Sequence, residues 1–178
     1  MAEGISSQSL LHPPPSNTLL VSEASAEDTD RAVASAKAAF PAWSALTPSD
    51  RGAYFKKLAS LLRQKTQELA WLEASSMGRP VSQYFDAYMA ADLFDHYAEA
   101  GYEVQGTSSL NTPGHLSMTL RQPYGVVAAI IPWNVPLLFF ASKAAAALAA
   151  GNTVVVKSSE KAPLTVRSSS VFHSSLQH

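Results

Sequence analysis

No cysteine occurs in this 178-residue sequence, which excludes disulfides and thiolate metal sites and fits a reducing compartment. A cytoplasmic location is expected. Nor does charge of one sign predominate: 13 Lys and Arg stand against 14 Asp and Glu, for a formal net charge of -1. That balance leaves no electrostatic footprint for nucleic acid or an anionic membrane, so neither is expected as a partner. The five histidines, His12, His96, His115, His173 and His178, lack metal-ligand spacing, and no metal is expected. No basic cluster precedes Leu10-Leu11, so a secretory signal is not expected. Glycine-rich phosphate loops of the G-x-x-x-x-G-K-[ST] or G-x-G-x-x-G type are missing as well.

What the sequence does contain is concentrated between Pro123 and Pro163. Gly125 to Ile131 is a continuous apolar, β-branched run without polar alternation, the pattern of a strand buried on both faces of a parallel sheet. Pro132 and Pro136 frame a turn around Trp133 and Asn134. Leu137 to Ala150 is almost wholly apolar and helix-favouring, with Pro136 in a first turn where a missing N–H costs nothing. Gly151-Asn152 stops this helix, and Thr153 to Val156 supplies a second β-branched run. Strand, helix and strand within about thirty residues predict one right-handed βαβ unit. Although Gly125 to Ser142 is uncharged and near bilayer length, two prolines and an asparagine at its centre and Lys143 after it argue against a membrane span.

The preceding residues read as helices. Ser25-Ala26-Glu27-Asp28 resembles a capping box opening a helix whose face holds Ala32, Val33, Ala36, Ala39 and Phe40 and which Pro41 ends. Thr47-Pro48-Ser49-Asp50 opens a second, with Tyr54, Leu58, Leu61 and Leu62 as its buried stripe. Thr66 is expected to cap a third, carrying Leu69 and Leu72 and closing at Gly78-Arg79-Pro80. A fourth runs from about Ser82 to Ala100, with Phe85, Tyr88, Phe94 and Tyr97 expected in the core. Thr107 to Leu110 and Leu116 to Arg121 then read as a hairpin around Asn111-Thr112-Pro113-Gly114. Because an isolated hairpin is marginal in water, this one is expected to pack on another element or to complete a sheet in a neighbouring subunit.

From about Ala26 to Pro163 the order of several motifs resembles the N-terminal part of the NAD(P)-dependent aldehyde dehydrogenase superfamily. These are A-V-x-x-A-x-x-A-F-x-x-W at Ala32 to Trp43, S-D-R at Ser49 to Arg51, and M-G-R-P at Met77 to Pro80, where the family often has T-G-K-P. P-Y-G-V-V, P-W-N, A-A-L-A-A-G-N-T-V-V-x-K and K-S-S-E follow. The resemblance implies an α/β fold: N-terminal helices, a hairpin and the first βαβ unit of an incomplete Rossmann-like dinucleotide-binding domain. It divides the chain into an off-pattern leader at 1–24, a helical part of the cofactor-binding domain at 25–105, an oligomerisation-type hairpin at 106–122, the βαβ unit at 123–165 and an off-pattern, disordered tail at 166–178.

The same resemblance implies oxidation of an aldehyde to a carboxylic acid with NAD or NADP as cofactor. A nucleophile turns the carbonyl into a tetrahedral alkoxide from which hydride leaves for nicotinamide, and the alkoxide needs hydrogen-bond donors. Asn134 matches the family's amide donor. Lys157 and Glu160 match the pair that holds the adenosine ribose, Ser159 is expected to bind the cofactor with them, and Ser158 replaces a usual proline. A carboxylate near the 2′-hydroxyl favours NAD over NADP. Ile130, Ile131, Pro132 and Trp133 match the floor beneath the dinucleotide, and Val135 and Leu138 match tunnel positions. The family's nucleophilic cysteine and the E-L-G-G-K segment of its general base are not in these 178 residues. A fragment inactive by itself, whose own hold on NAD is doubtful, is therefore expected, with a homo-oligomer or a full-length homologue as partner. The alternative is a non-enzymatic piece that docks on full-length subunits.

Overall fold

The computed structural model describes residues 21–171, which form six α-helices and two small sheets. Two helices open as their sequences dictate. In α1 (Ala26–Ser44) the Ser25 hydroxyl accepts from the Asp28 amide while Asp28 returns a bond to the Ser25 amide, and Thr47 and Asp50 repeat the device at α2 (Pro48–Gln64). Each such cap contributes about 1 kcal/mol by satisfying amides that no helical carbonyl can reach.

Pro41 does not end α1, which continues one turn further to Ser44. The proline carbonyl still accepts from the Ala45 amide at 3.2 Å, and the Trp43 indole donates to the Leu148 carbonyl at 3.1 Å. Tertiary anchoring thus outweighs the one helical bond that the proline forgoes. The expected apolar face of α1 is mostly open: Ala32, Val33 and Ala39 are exposed, while Ala36, Phe40 and Trp43 are partly covered.

The core lies where α2 meets α4 (Asp86–Ala100) and α4 meets α5 (Pro136–Ala149). Its members are Phe55, Ala59 and Leu62 of α2, Leu69 of α3 (Thr66–Met77), Ala87, Ala90, Ala91, Phe94 and Ala98 of α4, and Leu137, Ala141, Ala145 and Ala149 of α5. Alanine dominates the list, so the helices approach closely and the few large side chains interdigitate. Phe94 is the largest; its complete burial contributes on the order of 2 kcal/mol. Gly52 is required by this closeness, since a Cβ there would lie 2.5 Å from the Ala98 carbonyl oxygen.

Two expected faces and one expected cap differ from the sequence reading. Tyr54 is exposed and Leu58 and Leu61 are half-buried, because α2 buries the adjacent Phe55–Ala59–Leu62 stripe instead. Phe85 and Tyr88 are exposed, because a 3-10 turn at Val81–Gln83 delays the start of α4 to Asp86 and the alanine face turns inward. Thr66 does not cap α3; its hydroxyl donates to the Leu62 and Arg63 carbonyls and so finishes α2. Gly78, at φ +81°, closes α3 in the left-handed conformation as its position in the sequence suggested.

Beyond α4, β1 (Ser108–Ser109) and β2 (Ser117–Met118) pair antiparallel, with Leu110, Leu116, Met118 and Leu120 exposed. The second sheet joins β3 (Val126–Ile130) to β4 (Thr153–Lys157) in parallel, with α5 as the crossover. Asn152 locks the start of both strands: its side-chain oxygen accepts from the Gly125 amide at 3.1 Å and its amide donates to the Ala147 carbonyl at 3.0 Å. The strands are not buried on both faces, since Ala128 and Ile130 are exposed on a sheet of two strands.

Residues 166–171, expected to be disordered, are helical. They extend α6 (Leu164–Val171), which begins after Pro163 and buries Thr165 and Val166, the latter against Ala129 and Ile131. Burial of these two residues supplies the order that a serine-rich composition did not suggest. No helix among the described residues is long and apolar enough to cross a membrane.

Candidate functional site at the carboxyl edge of the parallel strands

The register of the parallel pair determines what meets at its carboxyl edge. Ile130 lies opposite Lys157, and the Ile131 amide donates to the Lys157 carbonyl at 2.9 Å. Both chains then leave the sheet at the same level, so the 131–135 turn and the 158–163 loop emerge side by side. Ligands of open parallel sheets bind in this position, outside the strand ends.

The residues singled out in the sequence divide there by exposure. Ile130 is 71% exposed and Trp133 49%, giving an apolar shelf at the strand end, with Pro132 half-buried between them. Ile131 points the other way, buried against Val166 and Ala129, so it supports the shelf from beneath instead of surfacing it. Asn134 is exposed, and its backbone carbonyl accepts from the Arg79 guanidinium at 3.4 Å. Lys157 and Glu160 are exposed and paired at 3.4 Å, and a backbone hydrogen bond together with Lys157 holds the Glu160 carboxyl below the usual carboxylate range. It is therefore ionised at neutral pH. Ser159 is buried, and its hydroxyl accepts from the Lys161 amide at 3.2 Å, which shapes the loop.

A second polar cluster behind the turn went unnoticed in the sequence. Glu73 of α3 and Asp86 of α4 are both completely buried, Arg79 forms an ion pair with Asp86, and the Tyr84 and Thr165 hydroxyls adjoin Glu73. Burial first, and the Asp86 charge second, push the Glu73 carboxyl up to about 7. Burial also raises Asp86, against the pull of Arg79. Glu73 falls four residues after the core residue Leu69, and that helical spacing was the available signal. No group of His, Asp and Glu among the described residues could hold a metal ion.

The edge presents an apolar shelf, an exposed asparagine, a carboxylate and an ammonium at the ends of two parallel strands. The family follows from the sequence: the aldehyde dehydrogenase family model matches residues 10–172, and the chain belongs to that family. The match takes in residues on both sides of the Ala26 to Pro163 motifs. Vanillin dehydrogenase of Pseudomonas sp. (strain HR199 / DSM 7063) is 44% identical over 149 residues, covering 83% of this chain and 31% of the relative. The NADP/NAD-dependent aldehyde dehydrogenase PuuC of Escherichia coli (strain K12) is 42% identical over 142 residues, covering 78% of this chain and 29% of the relative. Among solved structures, PnpE in complex with nicotinamide adenine dinucleotide superposes with a TM-score of 0.84 at 39% identity, over 89% of this chain and 33% of that one. The chain thus spans about a third of the length of the relatives it matches.

Proposed function

We propose that the chain supplies the first part of an NAD(P)-dependent aldehyde dehydrogenase, which oxidises an aldehyde to a carboxylic acid. The supporting observation is the pairing of Ile130 with Lys157, which brings the 131–134 turn and the 158–160 loop out together at the carboxyl edge of β3 and β4. In this reading the Asn134 amide donates to the oxyanion formed when a nucleophile adds to the carbonyl. The nucleophile comes from outside these residues, since they include no cysteine. Alone, the 178 residues form no NADH.

The residues present fit the ribose end of a dinucleotide. Ionised Glu160 accepts from ribose hydroxyls and Lys157 donates beside it, while a 2′-phosphate is repelled by the carboxylate, so NAD is favoured over NADP. Ile130, Pro132 and Trp133 form the apolar floor, held up by Ile131. When bound, the nicotinamide accepts the hydride.

The test replaces the corresponding third of vanillin dehydrogenase with residues 25–165 of this chain. Aldehyde-dependent NADH formation is expected from the chimera, and Asn134→Ala is expected to lower its kcat by about 10²–10³-fold. Unchanged turnover in Asn134→Ala would remove the donor role. Glu160→Gln is expected to raise KM for NAD with little change in kcat, because it removes binding common to ground and transition states.

The exposed hairpin favours a second role. With Leu110, Leu116, Met118 and Leu120 all open, β1 and β2 offer apolar side chains and unpaired strand edges for a neighbouring subunit. Docking on full-length aldehyde dehydrogenase subunits then follows, and failure to co-purify with the co-expressed homologue would exclude it.

A further inference from the structure

The M-G-R-P segment is not used by the proposed mechanism, yet its arginine reaches the mechanism's central turn. Arg79 divides its guanidinium: Nη1 engages the buried Asp86 carboxylate, Nη2 donates to the Asn134 carbonyl at 3.4 Å, and the Phe85 ring lies 5.1 Å from its carbon. A rigid fork of this kind fixes two acceptors relative to each other. Here they belong to the first turn of α4 and to the 131–135 turn, separated by 48 residues of chain between Asp86 and Asn134.

Behind Arg79 the charges do not balance. Glu73 and Asp86 are completely buried, one cation faces them, and Glu73 has neither oxygen in hydrogen-bond geometry with a partner. The Tyr84 and Thr165 hydroxyls face Glu73 without closing well-aligned hydrogen bonds to it, and the second Asp86 oxygen has no partner. Two ionised carboxylates would leave a net negative charge in this enclosure, which burial penalises heavily. One proton on the pair removes it. Asp86 has the direct ion pair, so Glu73 takes the proton.

Resting on the reading of Asn134 as the oxyanion donor, we infer that Arg79 is a positioning residue that fixes the Asn134 turn, and that the proton carried by Glu73 governs its hold. With Glu73 neutral, Arg79 serves Asp86 and Asn134. Once ionised, Glu73 becomes a charged acceptor that competes with the neutral Asn134 carbonyl for the same guanidinium. The groups facing Glu73 are few: Asp86 on α4, Arg79 and Tyr84 in the connection between α3 and α4, and the uncharged Thr165 on α6. On the side where α2 meets α4, the charges are engaged elsewhere, Arg63 by Asp92 and Asp95 and Lys56 by Glu99. Titration near neutral pH agrees with the Glu73 carboxyl being pushed up to about 7.

The full 178-residue chain, labelled with ¹³C and ¹⁵N, provides the test without turnover. The Asn134 carbonyl carbon and the Val135 amide are followed by NMR from pH 5 to pH 9 in the unaltered chain and in Glu73→Gln, Arg79→Lys and Arg79→Met. Both resonances are expected to shift together with the Glu73 carboxyl carbon, with a midpoint of about 7. The shift is expected to vanish in Glu73→Gln and Arg79→Met, and to return in part in Arg79→Lys. A merely structural arginine would not tie Asn134 to the Glu73 titration. No shift in the unaltered chain, or an undiminished shift in Glu73→Gln, overturns the inference. Glu73→Gln is isosteric with the protonated acid and decides alone if Arg79→Met does not fold. Loss of the Asn134 donor role in the chimera would leave this clamp standing, and a silent titration would leave the donor role standing.

Discussion

At the scale of single residues, a side chain's meaning depends on whether water reaches it. Glu73 and Glu160 are both glutamates near charged neighbours, yet burial raises one and ionic and backbone contacts lower the other. For Glu73 the consequence for stability has a definite sign. Its folded-state pKa, about 7, lies above the ordinary 4.5, so between those values the folded chain binds more protons than the unfolded chain. Stability therefore falls as pH rises through 4.5 to 7 and levels off above, a loss on the order of 3 kcal/mol for a shift of this size. Urea unfolding across that range measures it. Glu73→Gln is expected to flatten the decline and to be the more stable form at pH 8; a decline of the same size in the variant would assign it to other groups. Little in the sequence marks this cluster, and only the four-residue step from Leu69 places Glu73 on a buried face.

At the scale of elements, the legible features were those that close within a few residues. The Ser25–Asp28 and Thr47–Asp50 boxes, the left-handed Gly78 and the proline at the start of α5 are local devices, and each appears where its residues stand. The carboxyl-edge site was legible for the same reason, because a strand–turn pair followed by a strand–loop pair leads to one edge once the strands are parallel. Faces were harder to read. Phe85, Tyr88 and Tyr54 look like core residues by size, but the packing of α2, α4 and α5 is built on alanines that let the backbones come close. Pro41 looks like a stop, but its helix is anchored from 105 residues away by Trp43 and Leu148. Gly52 tests the close-packing account. Gly52→Ala places a methyl 2.5 Å from the Ala98 carbonyl oxygen, so α2 and α4 must separate, at an expected cost of about 1–3 kcal/mol. An unfolding midpoint equal to or above that of the unaltered chain would show that the helices yield freely.

At the scale of the whole molecule, the helical core is closed while both sheets are open. The β3–β4 pair leaves Ile130 and Ala128 uncovered, α1 leaves Val33 uncovered, and the hairpin stands with its apolar side chains out. Such surfaces favour self-association. Light scattering is expected to show concentration-dependent assembly, reduced by the double substitution Met118→Lys and Leu120→Lys if the hairpin carries it. Assembly indifferent to that change would point to the β3–β4 edge.

Two hydrogen bonds of α1 have a bearing on the order in which the fold forms. Trp43 bonds to Leu148 and Thr153 bonds to Ala36, across 105 and 117 residues of chain. Both require the crossover helix or the second strand, so α1, the first helix among the described residues, is among the last to be fastened. Loops of that length close slowly because chain entropy must be lost before any contact rewards it. Substitutions in α1 should therefore quicken unfolding while leaving the folding rate nearly unchanged.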